Sequence, residues 1–276
     1  MVRISRRQGC FLIMGLVFLL IVSSSVVSTT AVVAGRTTDR VTGSSLADVP
    51  ILNYHKVDNF YHALSIPPEE FEEQMAYLAQ NGFTTITPDQ LMAYLNHDRE
   101  LPKNPILITF DDGYLDNFTN AYPIMKKYGF TATIFLVTNK IGHEENFMSW
   151  DQVRTMQQDG FVFGSHTVSH AALTKLSRED VMLELTNSRK ELERQLGVKA
   201  RYFAYPTGAY NRQTEEMVKQ AGYKAAFTIR YGQAGTGSNP YALERIPIFR
   251  GQHTFRSFFV RLNAAPVLER FGLIRN

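Results

Sequence analysis

Two carboxylates side by side, Asp111 and Asp112, close the apolar run Ile106–Phe110 and precede Gly113. Farther along the chain, His166 and His170 stand four residues apart in Ser165-His166-Thr167-Val168-Ser169-His170. Taken singly, both stretches have plain readings. Asp-Gly is common turn chemistry, and two histidines at this spacing converge on one ion only if the segment is helical, where residues i and i+4 share a face. Taken together they are more specific. Two neutral imidazoles and one carboxylate form a three-ligand set with an open position for water, as catalytic Zn²⁺ sites do, and such an ion would lower the water's pKa toward ~7. Adjacent residues at a strand end point different ways, so Asp112 can ligate while Asp111 stays free to accept a proton.

A third cluster, Arg201-Tyr202-Phe203-Ala204-Tyr205-Pro206-Thr207-Gly208, runs into Ala209-Tyr210-Asn211. Its proline and glycine suit a shaped loop whose backbone N–H groups and rings line a cleft; the plainer reading is a strand-to-helix turn with Asn211 as N-cap. His55, in Asn53-Tyr54-His55-Lys56-Val57, falls just past the first expected strand. His253 has no comparable context and reads as an ordinary surface histidine.

These residues need a frame, and the chain supplies one by alternation. Strand-like runs are expected at 49–54, 83–86, 106–110, 131–137, 161–164, 202–204 and 225–229, with amphipathic helix-like stretches at 67–80, 88–96, 117–128, 150–158, 177–196 and 212–221. Local signals agree. Thr87 before Pro88 is an N-cap followed by proline at the first helical position, Gly82 sits where a helix C-terminus needs a left-handed residue, and Ser177 with Asp180 resembles a capping box. Repeated strand–helix units imply a parallel sheet or barrel, whose chemistry gathers at the C-terminal strand edge. All three clusters and His55 fall there.

With 276 residues, 44% of them hydrophobic and 12% aromatic, the chain can bury one large α/β core. Residues 1–34 stand apart: Arg3, Arg6 and Arg7 precede an apolar run from Phe11 to Val22, which reads as an export signal. Val32-Val33-Ala34 offers a cleavage site, yet the stretch approaches the roughly 17 to 25 residues that span a bilayer, so signal peptide and retained anchor both stand. Residues 35–48 read as a tether and 49–276 as the folded domain. Cys10, the single cysteine, precedes the apolar run, so the exported domain folds without disulfides. The formal charge of +3 comes from the three leader arginines, which argues against a nucleic-acid partner.

The sequence resembles the polysaccharide deacetylases of carbohydrate esterase family 4, which share the NodB homology domain, over roughly residues 49 to 250. Thr109-Phe110-Asp111-Asp112 looks like the family's first motif, Ser165 to His170 like its second, and Phe203 to Gly208 like its third. The resemblance implies a distorted (β/α) barrel with fewer than eight regular units. It also implies Asp111 as general base and Asp112, His166 and His170 as ligands of a divalent metal, usually zinc, with Co²⁺, Ni²⁺ or Mn²⁺ also accommodated. Three departures stand out. Ala204 occupies the place of an arginine that contacts the catalytic aspartate in many members, Thr207 replaces a common tyrosine, and the later tryptophan and histidine motifs have no counterpart. These departures, with Ile51-Leu52-Asn53-Tyr54-His55 and Leu243-Glu244-Arg245-Ile246-Pro247, look most like the branch containing poly-N-acetylglucosamine deacetylases.

The expected activity is hydrolysis of N-acetyl groups on an N-acetylglucosamine polymer outside the cell. His55 is the candidate acid for the leaving amine, and the Tyr205-Pro206-Thr207 loop the candidate oxyanion and substrate contact. The expected partners are that glycan and, through the amino-terminal segment, the membrane, with the domain a monomer. Two rivals remain: a tethered glycan-binding scaffold without turnover, and a metal-dependent O-acetyl esterase.

Overall fold

Side chains alternate along a strand, so each strand of this fold serves two cores. In strand β1 (Val49–Tyr54) and strand β3 (Pro105–Phe110), Leu52, Tyr54, Ile106, Ile108 and Phe110 join the outer layer. There they meet Phe71, Met75 and Leu78 of helix α1 (Pro68–Gln80). The intervening Val49, Ile51 and Leu107 belong to the inner cluster with Phe135, Phe227 and Leu243.

The computed structural model describes residues 47–251 and 254–264. The leader 1–34, most of the tether and His253 lie outside the described residues. Among the described residues, no helix is long and apolar enough to cross a membrane.

Strand β1 pairs in parallel with β3, Leu52 opposite Ile108, and with β9 (Leu243–Pro247), Leu52 opposite Ile246. From β3 the parallel order continues through β4 (Thr133–Leu136), β5 (Val162–Ser165), β6 (Tyr202–Ala204) and β7 (Ala225–Tyr231) to β9, closing a barrel of seven strands. The expectation of a (β/α) barrel with fewer than eight units holds. Two short strands lie outside the ring: β2 (Thr84–Thr85) beside the start of β3, and β8 (Gln233–Ala234) antiparallel to the start of β1.

Around the barrel run α2 (Pro88–Leu95), α3 (Tyr122–Lys127), α4 (Trp150–Gln158), α5 (Arg178–Leu196), α6 (Arg212–Gln220) and α7 (Thr254–Phe259). Reciprocal capping boxes start three of them: Thr87 with Gln90, Ser149 with Gln152, and Asn211 with Thr214. At α5 the Ser177 hydroxyl accepts from Asp180 N–H at 3.1 Å. The helix expected over 117–128 opens instead as a π-helical turn, Asn117–Ala121, before α3. Strands β8 and β9 and helix α7 had no counterpart in the sequence reading.

Moving up the barrel axis, the inner layer changes character. Above Ile51, Leu107 and Leu243 stand Asn53, Thr109 and Arg245, all buried. The Arg245 guanidinium lies 5.8 Å above the Phe135 ring, and its Nε donates to Thr228 O at 2.8 Å. This polar layer is the floor of the site.

Candidate active site

Asp111 follows the last residue of β3, where its N–H still donates to Tyr54 O at 3.0 Å. Its carboxylate is buried and gripped from below. Arg245 Nη1 donates to Oδ1 at 2.8 Å and Nη2 to Oδ2 at 2.7 Å, while Asn53 Nδ2 donates to Oδ2 at 3.0 Å. Burial alone would raise the Asp111 pKa, but the Arg245 charge and the hydrogen bonds it donates outweigh it and hold the carboxyl well below the usual carboxylate range. Asp111 is therefore an ionised acceptor. Neither Arg245 nor Asn53 stood among the candidates read from the sequence, yet Arg245 makes the aspartate contact that Ala204 cannot.

The chain then turns sharply. Asp112 has φ 74° and Gly113 φ 85°, and a Cβ at Gly113 would sit 2.6 Å from the Leu136 side chain. Only glycine fits that second position. The turn swings the Asp112 carboxylate toward the histidines.

His166 and His170 are brought together by a loop, not by the helical face on which the spacing argument depended. The segment after β5 carries Thr167 at φ 69° and His170 at φ 63°, and the ring centroids lie 4.9 Å apart. Left-handed backbone at a β-branched threonine is costly, so neighbours must hold it. Glu184 of α5 does much of this: its Oε2 accepts from Val168 N–H at 2.8 Å and Ser169 N–H at 3.0 Å, and its Oε1 from the Ser169 hydroxyl at 2.7 Å. On the other side, Thr138 N–H donates to Thr167 O at 3.1 Å.

His166 Nδ1 lies 2.8 Å from Ala204 O, and a carbonyl can only accept, so Nδ1 carries the proton and Nε2 presents a lone pair. Bonds of about 2.1 Å to a tetrahedral ion place ligand atoms about 3.4 Å apart. Asp112 Oδ1 stands 3.3 Å from His170 Nε2 and 3.6 Å from His166 Nε2, and among the described residues these three form the one metal-capable group. The donor set fits a divalent ion of the zinc type. Burial lowers the His170 pKa and favours its neutral, ligating form.

His55 Nε2 lies 4.0 Å from Asp111 Oδ2. Burial lowers its pKa, partly offset by the charge of Asp111, so the imidazole is neutral at rest. Its backbone is tied down by the π-helical turn and the residue before it. Asn117 Nδ2 donates to His55 O at 2.8 Å, Val57 N–H donates to Asp116 Oδ1 at 2.8 Å, and Asn120 Nδ2 donates to Val57 O at 2.7 Å.

The three loop residues differ in what they offer. Tyr205 N–H is spent on Phe227 O at 3.0 Å, and Pro206 has none. That corrects the expectation for Tyr205 as a backbone donor and leaves Thr207, at φ 60°, as the member of the trio whose N–H is not committed to the barrel. Of the candidate residues read from the sequence, all except Pro206 line a cavity of about 370 Å³, walled further by Leu64, Tyr114, Lys140, Ile229 and Phe249. Burial, then the Asp112 carboxylate, pushes the Tyr114 phenol above its usual range.

Comparison with known proteins agrees with this geometry. Residues 98–226 match the polysaccharide deacetylase family model. The chain is 36% identical to YxkH of Bacillus subtilis over 205 residues, 74% of this chain and 73% of that protein. It is 30% identical to the poly-beta-1,6-N-acetyl-D-glucosamine N-deacetylase of Staphylococcus aureus over 226 residues, 71% of this chain and 77% of that one. The solved structure of the Streptococcus pyogenes deacetylase PplD superposes with a TM-score of 0.74 at 27% identity, covering 79% of this chain and 99% of that structure. With its seven-stranded barrel and its Asp-Asp-His-His constellation, the chain belongs to the polysaccharide deacetylase family.

Proposed function

We propose that this chain is a metal-dependent N-deacetylase acting outside the cytoplasm on N-acetylglucosamine residues of a cell-surface polysaccharide. The observation that carries the reading is the convergence of Asp112, His166 and His170 beside an Asp111 carboxylate that Arg245 keeps ionised. The Staphylococcus aureus relative supports N-acetylglucosamine polymer as the substrate class.

Asp112, His166 and His170 would hold the ion, which when bound supplies Lewis-acid polarisation of the acetyl carbonyl and lowers the pKa of water. Asp111 accepts a proton as water adds to that carbonyl. The Thr207 N–H donates to the developing oxyanion. Breaking the C–N bond requires a proton on the leaving nitrogen, and His55 is neutral at rest. It therefore works as a relay: it takes the proton from Asp111 across a gap, 4.0 Å here, that substrate binding closes, and passes it to the amine. Acetate and a free amine result.

The rival reading of a fold that lacks turnover rests on Ala204 and on the missing later motifs, and the Arg245–Asp111 contact answers the first of these. Residues 1–34 serve in this account as export signal or anchor, 35–48 as tether, and 49–276 as a monomeric catalytic domain. The test is acetate release from poly-N-acetylglucosamine, chitooligosaccharide, peptidoglycan and an O-acetylated oligosaccharide. Metal-dependent release from N-acetylated polymers is expected. Release from the O-acetylated substrate alone would make the chain an esterase, and folded protein releasing nothing would make it a glycan-binding scaffold.

A further inference from the structure

Large aromatic side chains on a soluble surface normally shelter part of each ring, so two adjacent rings left open call for a partner. Phe60 is 75% exposed and Tyr61 92% exposed. Both sit at the tip of the β1–α1 loop, the segment whose ends deliver His55 and Leu64 to the catalytic cavity.

This tip is built, not frayed. Lys56 N–H donates to Leu64 O at 3.1 Å and Ile66 N–H to Lys56 O at 3.0 Å, closing the loop's neck. Arg250, beyond β9, holds the tip: its N–H donates to Ala63 O at 2.9 Å, its Nη1 to Phe60 O at 2.7 Å, and its guanidinium lies 5.1 Å from the Tyr61 ring. The rings are thus presented in place at little further cost in ordering entropy.

The rings are also continuous with the site. The Lys56 ammonium stands 5.1 Å from the Tyr114 ring, which lines the cavity, and 5.6 Å from the Phe60 ring. Tyr114 in turn stacks on Phe147 at 4.9 Å. Lys56 therefore links Tyr114 of the cavity wall to the Phe60 ring at the loop tip.

We propose that Phe60 and Tyr61 form a distal sugar-binding platform, on which the apolar faces of further pyranose rings of the same polymer stack as the chain leaves the cavity. The inference rests on the polymer reading above and deepens it: the preferred substrate is a chain of several residues, not a single sugar or a disaccharide. Two rings set among Asp58, Asn59 and His62 suit a ligand that is apolar on its ring faces and polar at its rim. A membrane surface or a second copy of this chain needs a wider apolar patch, and the other exposed large apolar residues among those described lie on other elements.

The experiment compares kcat/KM on a long N-acetylglucosamine oligomer with kcat/KM on the disaccharide, in the wild type, in the double variant Phe60→Ser/Tyr61→Ser and in Phe60→Tyr/Tyr61→Phe. The expected result is a long-to-short ratio that falls about tenfold in the serine variant, the scale of losing an aromatic contact, and recovers in the aromatic swap. An unchanged ratio overturns the platform. So does a serine variant that keeps the ratio while losing adhesion to anionic phospholipid vesicles, or one that dissociates from a dimer in sedimentation. Calorimetric binding of unreacted polymer to Asp111→Asn, with and without the serine pair, separates this inference from its parent. If the wild type releases no acetate but polymer binding still weakens with the serine pair, the platform stands and the deacetylase reading fails. Absence of polymer binding overturns the platform.

Discussion

Arg245 is the residue on which the chemistry of Asp111 turns. A fully buried carboxylate with both oxygens accepting from one guanidinium is costly to leave half-made, because removing one partner strands an uncompensated charge. Arg245→Ala is therefore expected to lower stability by about 3–5 kcal/mol in urea unfolding and to abolish acetate release. Arg245→Lys, which lacks the planar fork, should recover part of the stability but little of the turnover. Asp111, Asp112, His166 and His170 were legible in the sequence because acids and imidazoles beside strand ends announce chemistry. Arg245 and Asn53 were not, because a lone polar residue inside an apolar strand reads as the solvent-facing half of an alternation. Only barrel closure shows that this face is the interior, where Arg245 meets a partner 134 positions away.

Two elements hold the reactive groups from behind. The loop bearing both histidines keeps its left-handed backbone through Glu184 on α5, so Glu184→Ala is expected to weaken metal affinity about 10- to 100-fold while the barrel stays folded. Metal titration followed by calorimetry, with circular dichroism as the folding control, checks it. The π-helical turn and Asp116 pin the backbone around His55, and Asp116 itself is pushed by burial up to about 6 from an ordinary 3.8. Its folded state thus binds the proton more tightly than the unfolded chain. Stability from this group is full below pH 3.8 and is lost as the pH rises through about 6. Relative to wild type, Asp116→Asn should gain up to about 3 kcal/mol between about pH 4 and pH 7, measured as the difference between two pH–stability curves. A flat difference would contradict the assignment. The helix caps were readable, being local rules within a few residues. The bend that brings His166 and His170 together was not, because left-handed threonine is disfavoured locally and is paid for by contacts from another helix.

At the scale of the whole molecule, the alternating strand and helix pattern was enough to indicate a parallel barrel, and the family motifs to indicate one short of eight units. Strand β9 escaped because Leu243-Glu244-Arg245-Ile246-Pro247 is short, charged and ends in proline. An ion that binds only the folded state stabilises it by mass action, by about 2.7 kcal/mol at a hundredfold excess over Kd. Chelation is therefore expected to lower the melting temperature, with readdition restoring it. Each deacetylated sugar can carry a positive charge near neutral pH, so the enzyme would change how its polymer adheres to anionic surfaces. A strain without the gene should show a lower free-amine content in that polymer, and an unchanged content would contradict the role.

The proposed mechanism divides two neighbouring carboxylates between metal and proton. Bound divalent ion and acetate release, measured on the same samples of wild type, Asp111→Asn and Asp112→Ala, separate the two roles. The expected result is one ion per chain with turnover in the wild type, an ion without turnover in Asp111→Asn, and neither in Asp112→Ala. Turnover in Asp111→Asn, or a metal content unchanged in Asp112→Ala, would contradict the division of labour from which the account is built.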